Sequence, residues 1–171
     1  MNNKKFVLMS CCAPCSAAAI KQLQKLGANF VVLFYNPNIF PHEEYKRRLD
    51  EQIKLCDKLG VKYAAPDYDH DAWLQCIKGL EGESEQGRRC AECFKMRLAW
   101  GAKWAYKNGY NAITSVFGSS PYKNQIQVDE AASGLPIKYI DCNFSFEPEP
   151  NSYRQKYCGC EFSETYDDKK A

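Results

Sequence analysis

Seven of the ten cysteines in this 171-residue chain stand in three short groups. One group lies near the beginning of the sequence, one lies in the middle and one lies near the end. Thiols at such short spacings hold a metal or exchange electrons. The spacing alone favours a metal site and is compatible with either zinc or an iron–sulfur cluster. The groups are Cys11, Cys12 and Cys15, then Cys90 and Cys93, then Cys158 and Cys160.

The last group differs from the other two because a single glycine, Gly159, separates its cysteines. That spacing allows a tight disulfide ring, and strained disulfides are more easily reduced. A pair that alternates between dithiol and disulfide could feed electrons to a nearby centre, and a pair of extra metal ligands is the alternative. For the isolated cysteines Cys56, Cys76 and Cys142 we predict burial and no functional role.

The composition limits the kinds of site and the compartment. Only two histidines occur, His42 and His70, so one chain cannot build a three-histidine zinc site. Because 23 Lys and Arg balance 21 Asp and Glu, strong non-specific binding of nucleic acid is not predicted from net charge. The first apolar run is too short for a signal peptide, and no run approaches the roughly 20 apolar residues of a membrane span. We expect a cytoplasmic protein with reduced thiols and no membrane partner.

Short apolar runs alternate with amphipathic segments along most of the chain. This alternation predicts a single Rossmann-like (HUP-like) α/β domain over residues 1–163, with a mainly parallel sheet of about five strands flanked by helices. A cysteine-containing C-terminal segment follows the last strand, and residues 164–171 are predicted to form a flexible tail. The predicted strands are 6–9, 30–35, 61–65, 112–117 and 136–140, and the predicted helices begin near Ser16, Pro41, Trp73, Glu92 and Asn124.

These elements place two of the cysteine groups beside helix N-termini. The first group is predicted in the loop between the first strand and the helix at Ser16, and the second lies at the start of a later helix. Ligands of parallel α/β sheets bind beyond the carboxyl ends of the strands. Free N–H groups and the helix dipole favour anions there, including thiolates and a negatively charged cluster.

Several motifs occur in the same order as in a known family, over about residues 6–163. They are Cys-Cys-Ala-Pro-Cys at 11–15, Phe-Tyr-Asn-Pro-Asn-Ile at 34–39, Glu-Tyr-Lys-Arg-Arg at 44–48, Gly-Arg-Arg-Cys-Ala-Glu-Cys-Phe at 87–94 with Arg-Leu at 97–98, Ser-Pro-Tyr-Lys-Asn at 120–124, and Tyr-Arg-Gln-Lys-Tyr-Cys-Gly-Cys at 153–160. On these motifs the chain resembles the QueH family of cobalamin-independent epoxyqueuosine reductases. One difference is a shorter segment at 142–150, which places in question any tRNA contact that the family makes there.

The resemblance implies an oxidoreductase of tRNA modification. Family members reduce the epoxide of epoxyqueuosine at the wobble position of tRNA to the alkene of queuosine, the last step of queuosine synthesis. The expected partners are therefore tRNA, through its anticodon loop, and an electron donor that the sequence does not identify. The resemblance further implies a [4Fe-4S] cluster on Cys11, Cys12, Cys90 and Cys93.

The resemblance also assigns roles to the remaining grouped cysteines. It implies that Cys158 and Cys160 are a redox-active pair that forms a disulfide bond. A second, mononuclear metal ion beside the cluster, expected to be iron, is also implied, and Cys15 is our candidate ligand for it.

Substrate recognition calls for stacking and cationic contacts, because a loop base is read while it is exposed from its neighbours. Our candidate substrate-binding residues are Tyr35, Asn36, Lys123 and Arg154. Further candidates for RNA contact are Arg47, Arg88 and Tyr153, although a solvated charge explains Arg47 and Arg48 at least equally well. The candidate proton donors are Tyr35, Glu44, Asp69 and Tyr122.

Three other functions are weighed against a reductase. An ATP-using tRNA thiolase would have a similar α/β fold, but it would want a glycine-rich loop after the first strand, and residues 10–14 contain no glycine. A simple thiol–disulfide oxidoreductase would not explain four additional paired thiols. The alternative that we retain is a zinc-stabilised nucleic-acid-binding module without catalysis, which would not need Cys158 and Cys160.

Overall fold

A five-stranded parallel sheet organises residues 5–165, which are the residues that the computed structural model describes. Its strands lie in the order β3-β2-β1-β4-β5, and every neighbouring pair is parallel. The predicted α/β fold with a mainly parallel sheet of five strands is confirmed. The strands are β1 (Lys5–Met9), β2 (Asn29–Leu33), β3 (Tyr63–Ala64), β4 (Ala112–Ser115) and β5 (Lys138–Tyr139).

Five helices connect or flank the strands in this part of the chain. Among the described residues, none of these helices combines the length and the apolar character that spanning a membrane requires. The helices are α1 (Ala13–Lys25), α2 (His42–Leu59), α3 (His70–Cys76), α4 (Arg88–Lys107) and α5 (Gln125–Ser133).

The central strand β1 is buried on both faces, which explains its uninterrupted apolar sequence. Phe6 and Leu8 pack into a core that includes buried side chains of α1 and α2. Val7 and Met9 point to the opposite face and pack into a second core with side chains of α4 and α5. Successive side chains of a strand alternate between faces, so β1 divides the molecule into two helical layers.

Two helices begin earlier than the sequence predicts. Helix α1 begins at Ala13 instead of near Ser16, because Pro14 is accommodated in the first turn, where its missing N–H has no partner to lose. Cys12 therefore becomes the N-cap, and Cys15 lies in the first turn of the helix instead of in the preceding loop. Helix α4 begins at Arg88 instead of Glu92, which places the cysteine pair of this region inside its first two turns.

The inward face of α2 carries polar side chains. Leu49 and Ile53 are only half-buried, whereas Arg48 and Gln52 are 1% exposed. The interpretation of Arg48 as a solvated charge is therefore wrong. Its guanidinium donates hydrogen bonds to main-chain carbonyl groups of the C-terminal segment. A local pattern of apolar residues cannot predict such a contact.

The irregular segment after β5 runs back across the first two helices. Glu149 forms ion pairs with Lys21 of α1 and, at 2.6 Å, with Lys58 of α2. Glu164, at the start of the predicted tail, donates its backbone N–H to Glu85 at 2.9 Å. Residues 166–171 of that tail lie outside the described residues.

Candidate metal and thiol site

The site lies beyond the carboxyl ends of β1, β2 and β4. The loop after β1 carries the first cysteines, the loop after β2 carries Asn36 and Asn38, and the loop after β4 carries Lys123. Residues 153–163 lie across this edge of the sheet and bring the last two cysteines to it. Parallel strands bring their carboxyl ends to one edge, so residues distant in sequence meet there.

Three thiols form a compact group where β1 passes into α1. Their sulfur atoms all lie within 4.8 Å of one another. The Sγ atoms of Cys11 and Cys12 are 3.8 Å apart, and those of Cys12 and Cys15 are 2.9 Å apart. The family resemblance implies a second metal ion beside the cluster with Cys15 as its candidate ligand, and the structure places the Cys15 sulfur next to those of Cys11 and Cys12.

These three thiols differ in acidity because each hydrogen-bonds to the others. Hydrogen bonds from the thiols of Cys12 and Cys15 lower the pKa of the Cys11 thiol well below its ordinary value, and the positive charges of Arg97 and Lys123 act in the same direction. The hydrogen bond to Cys11 raises the pKa of Cys15, and burial raises that of Cys12. Cys11 is therefore the first of the three to become a thiolate.

The second cysteine pair lies at the start of α4 and lines an open cleft, which we call the α4 cleft. Cys90 and Cys93 contribute to its wall together with Cys158 and Cys160. Burial raises the pKa of the Cys90 thiol. The cleft therefore brings together two of the three cysteine groups.

A second, smaller cavity, the α1 cavity, adjoins the α4 cleft and is lined by Cys11 and Cys15. The two spaces share five lining residues, so they are neighbours within one site. Cys158 lies at the boundary between them and links all three cysteine groups. The shared residues are Asn38, Phe94, Arg97, Lys123 and Cys158.

Buried positive charge stands beside the thiols. Arg97 is 2% exposed, lies with its guanidinium 3.8 Å from the centre of the Phe117 ring and donates a hydrogen bond to Asn36. Asn36 in turn donates to the main-chain oxygen of Ser10 at 2.9 Å. Soft thiolate ligands suit zinc and iron–sulfur clusters, and nearby cations together with helix N-termini offset their negative charge. The donor set and its surroundings therefore fit a thiolate-bound metal centre.

The two thiols of the C-terminal pair occupy different environments. Burial raises the pKa of the Cys158 thiol, but the charge of Lys123 and a hydrogen bond from its ammonium group lower it to a net value below the ordinary one. Cys160 packs against Trp73 and Ile77, and burial raises its pKa to about 12. All ten cysteines lie within residues 5–165, and none of them is joined in a disulfide in this structure.

Gly159 is needed between the two thiols for conformational and steric reasons. Its φ is +115°, a region that other residues rarely adopt. A Cβ atom at this position would lie 2.9 Å from Cγ1 of Ile39 and 3.0 Å from Nη1 of Arg48. The glycine therefore lets the backbone of this segment approach α2 closely.

Arg48 holds the C-terminal segment over the site. Its Nη1 atom donates to the oxygen of Cys158 at 2.9 Å, and its Nη2 atom donates to the oxygen of Tyr157 at 3.1 Å. Its Nε atom donates at 2.7 Å to Glu44, which also accepts a hydrogen bond from the Tyr153 hydroxyl at 2.8 Å. One buried guanidinium thus fixes the backbone that carries Cys158 and Cys160.

The candidate substrate-binding residues occupy different positions. Lys123 lines both cavities, Asn36 is 1% exposed beneath the α1 cavity, and Arg154 is exposed on the surface. Tyr35 is buried and stacks on Trp100 with ring centres 3.9 Å apart. Only Lys123 of these four has its charged group in contact with a cysteine of the site.

The candidate proton donors also differ in their positions relative to the α4 cleft. Tyr122 lines the α4 cleft, whereas Glu44 binds Arg48 and Tyr153. Asp69 caps α3 by accepting the backbone N–H of Ala72 at 3.0 Å. Tyr122 is thus the candidate that the cleft itself presents.

The isolated cysteines divide in the same way. Cys56 is buried as predicted, and Cys142 is half-buried. The prediction that Cys76 is buried is wrong, because this residue ends the short helix α3 and is exposed.

Two glutamines of the site escape sequence reasoning. Gln155 donates from Nε2 to the sulfur of Cys12 at 3.0 Å, and Gln127 lines the α4 cleft. Gln155 lies in the Tyr-Arg-Gln motif, so the motif offered a signal, whereas Gln127 stands on a helix with no distinguishing pattern.

Comparisons with known proteins agree with the motifs. A family model described as epoxyqueuosine reductase QueH matches residues 6–166. A protein of that name from Acinetobacter baylyi is 38% identical in an alignment that covers 95% of this chain and 81% of the relative. The relatives of that name from Haemophilus influenzae and Staphylococcus epidermidis are each 36% identical, cover 94% and 93% of this chain, and are themselves covered over 72% and 76% of their lengths.

Two solved structures share the fold at low identity. The U34-tRNA thiolase NcsA from Methanococcus maripaludis, solved with its [4Fe-4S] cluster, has a TM-score of 0.52 and 15% identity, over 68% of this chain and 39% of that one. A predicted subunit of tRNA methyltransferase from Methanocaldococcus jannaschii has a TM-score of 0.54 and 16% identity, over 80% and 68% of the two chains. The predicted HUP-like fold, and the expectation that a tRNA thiolase shares it, are confirmed.

Proposed function

The chain belongs to the QueH family of epoxyqueuosine reductases, and we therefore propose that it reduces epoxyqueuosine at the wobble position of tRNA to queuosine. The observation that carries the proposal is the meeting of three cysteine groups at two adjoining cavities, with Cys158 at their boundary. The reaction converts an epoxide into an alkene and water, and it consumes two electrons and two protons. The site must therefore store electrons and supply protons.

In this proposal the cysteines at the N-termini of α1 and α4 hold the metal cofactor. Cys11, Cys12, Cys90 and Cys93 would bind a [4Fe-4S] cluster, and Cys15, within 4.8 Å of the first two, would bind a second metal ion, expected to be iron. Such a cluster supplies electrons one at a time. Helix N-termini and the buried Arg97 stabilise the negative charge of the thiolates that hold it.

The pair of Cys158 and Cys160 matches the electron demand of the reaction. When the S–S bond forms, two thiols release two electrons and two protons, the number that the epoxide consumes. Lys123 stabilises the thiolate of Cys158, so this sulfur loses its proton first, and the S–S bond to the buried Cys160 forms as the pair gives up two electrons for reduction of the epoxide. A separate electron donor then returns the disulfide to two thiols.

The tRNA substrate presents its anticodon loop to the open side of this site. Arg154 is exposed on the segment that carries the redox pair, so it is placed to contact RNA phosphate, whereas Lys123 acts inside the site. A zinc-stabilised module without catalysis would not need the hydrogen bond from Lys123 to Cys158. A reductase would need it, because this contact makes Cys158 a more reactive thiol.

The proposal is tested with protein purified without oxygen and tRNA that carries epoxyqueuosine, with conversion to queuosine followed by mass spectrometry of nucleosides. We expect the wild-type chain to form queuosine over many turnovers, and the variants Cys158→Ser and Cys160→Ser to lose that turnover. Cys76→Ser, which changes an exposed thiol, is the control that should retain it.

Two results would contradict this account. If the wild-type chain forms no queuosine when its metal site is fully loaded, the proposed reaction is rejected. Full turnover by both variants would leave the reaction standing and reject the role of the pair.

A further inference from the structure

Unpartnered polar atoms concentrate at one cavity of this molecule. Seven buried side-chain nitrogen or oxygen atoms among residues 5–165 have no hydrogen-bond partner within that part of the chain. Five of them belong to residues that line the α4 cleft. Buried polar groups are nearly always paired in folded proteins, so this concentration points to a ligand. The five atoms are Asn38 Oδ1, Trp73 Nε1, Arg89 Nε, Arg97 Nε and Gln127 Oε1.

The orientation of the Gln127 amide is fixed by its neighbours. Its Nε2 atom donates to the main-chain oxygen of Gln86 at 2.7 Å and to that of Gly87 at 3.0 Å. Because both partners are acceptors, the nitrogen must face them and Oε1 is the atom left without a partner. Gln86 itself has a φ of +62°, so the loop that orients Gln127 is held in a conformation that costs free energy.

The mixture of donors and acceptors identifies the chemistry of the ligand. A metal cluster with its thiolates and sulfides offers only acceptors, so it can satisfy the N–H groups of Trp73, Arg89 and Arg97. It cannot satisfy two carbonyl oxygens, and Asn38 is 2% exposed, so water has little access to its side chain. The ligand of the cleft must therefore bring N–H or O–H donors as well as an acceptor.

We propose that the α4 cleft binds the wobble base itself, and that the amide oxygens of Asn38 and Gln127 accept hydrogen bonds from its guanine-like edge. This inference rests on the proposed function. Such an edge carries a ring N–H, an exocyclic amino group and a carbonyl oxygen, which complement two acceptors and an N–H donor. A base read in this way is turned out of its loop.

The position of Cys158 agrees with this assignment. Its sulfur lines the same cleft as Gln127 and Asn38, so a base held by its edge lies beside the reactive thiol. Asn38 and Gln127 are then specificity-determining residues, and they hold the substrate without exchanging electrons with it.

The test uses binding, so it does not depend on turnover. Two anticodon stem-loop RNAs are compared on the metal-loaded full chain by fluorescence anisotropy, one with guanine and one with inosine at the wobble position. Inosine lacks only the exocyclic amino group. We expect the guanine loop to bind about tenfold more tightly, since a missing donor leaves a buried acceptor without a partner.

The variants assign that preference to residues. Gln127→Leu and Asn38→Leu should each reduce the preference for guanine several-fold while the affinity for the inosine loop changes little. Gln125→Leu is the matched control, because Gln125 is exposed on the same helix and pairs with Asp129 at 2.6 Å. Gln127 is only half-buried, so its variant keeps the test usable if Asn38→Leu fails to fold.

The outcomes separate this inference from the proposed function. Equal affinity of the wild-type chain for the two loops, or an unchanged preference in Gln127→Leu, would overturn the base-reading role and leave queuosine formation unaffected. A clear guanine preference in a chain that forms no queuosine would reject the reaction and retain the base-binding cleft.

Discussion

The thiols of Cys158 and Cys160 are separated by one residue and yet are chemically unequal. Lys123 donates a hydrogen bond to Cys158, whereas Cys160 lies among Trp73 and Ile77 and accepts a backbone hydrogen bond from Phe162 at 3.4 Å. The thiolate is the reactive form of cysteine, so this inequality sets the order in which the two sulfurs act.

Removal of the Lys123 charge should raise the pKa of Cys158, because that charge and its hydrogen bond oppose the effect of burial. In Lys123→Met a smaller fraction of Cys158 is thiolate at neutral pH, and alkylation of this thiol should slow about tenfold for each unit by which its pKa rises. The difference should vanish at a pH above both pKa values. The measurement is the pH dependence of iodoacetamide labelling, followed by mass spectrometry of the Cys158 peptide.

Lys95→Met is the matched control for that experiment. Lys95 is an exposed lysine that pairs with Glu92 at 2.8 Å on α4, so its removal should leave the labelling profile of Cys158 unchanged. Identical profiles for wild type and Lys123→Met would show that burial alone governs the thiol.

The sequence identified the grouped cysteines as candidate site residues, but it did not predict which side chains surround them. Short spacing and residue type identify a thiol group, but Lys123 and Cys158 come together only when the chain folds. The sequence therefore suggested a substrate contact for Lys123, whereas the structure also places its ammonium group on a thiol. Gln127 was missed for the same reason, because its significance comes from an unpartnered oxygen that faces a cleft.

At the scale of elements, the segment 153–163 depends on α2 for its position. It contributes no long helix or strand of its own and is held by hydrogen bonds to side chains and by main-chain contacts such as that from the Phe40 N–H to the Gly159 oxygen at 2.8 Å. The buried Arg48 donates hydrogen bonds to two of its carbonyl groups, so this one side chain links α2 to the segment that carries Cys158 and Cys160.

Arg48→Met should therefore destabilise the protein and loosen this segment. Loss of the guanidinium leaves Glu44 without its ionic partner and two carbonyl groups without donors, with an expected loss of about 3 kcal/mol in the free energy of unfolding. Urea unfolding at equal metal content measures the loss, and limited proteolysis should show earlier cleavage within 153–163.

The neighbouring arginine provides the control. Arg47 is exposed and lies 4.8 Å from the centre of the Tyr153 ring, so Arg47→Met should cost far less. Equal unfolding midpoints for the two variants would contradict the anchoring role of Arg48.

The elements themselves were largely predictable from the sequence. The apolar runs of β1 and β2 gave clear local signals, and all ten elements were expected near their observed positions. The boundaries of α1 and α4 were displaced because Pro14 and Arg88 belong to first turns, which resemble loops in composition. The polar inner face of α2 was not predictable, because its Arg48 side chain hydrogen-bonds to a segment about 110 residues away in the chain.

At the scale of the whole molecule, the parallel sheet explains why the cysteines can work together. The loops after β1 and β4, the start of α4 and the C-terminal segment all meet at one edge of the sheet. Family membership and the HUP-like fold, shared with a tRNA thiolase and a predicted subunit of tRNA methyltransferase, agree with this arrangement. A site built from four separate parts of the chain requires the complete fold, so we expect metal binding and the reactivity of Cys158 to depend on that fold.

The central claim is that these thiols hold an iron–sulfur cluster, and the most direct test is the iron and acid-labile sulfide content of protein purified without oxygen. We expect about four sulfides and at least about four irons per chain. Both should fall sharply in Cys90→Ser and remain in Cys76→Ser, whose thiol is exposed. Stoichiometric zinc without sulfide in protein expressed under strictly anaerobic conditions would contradict the account.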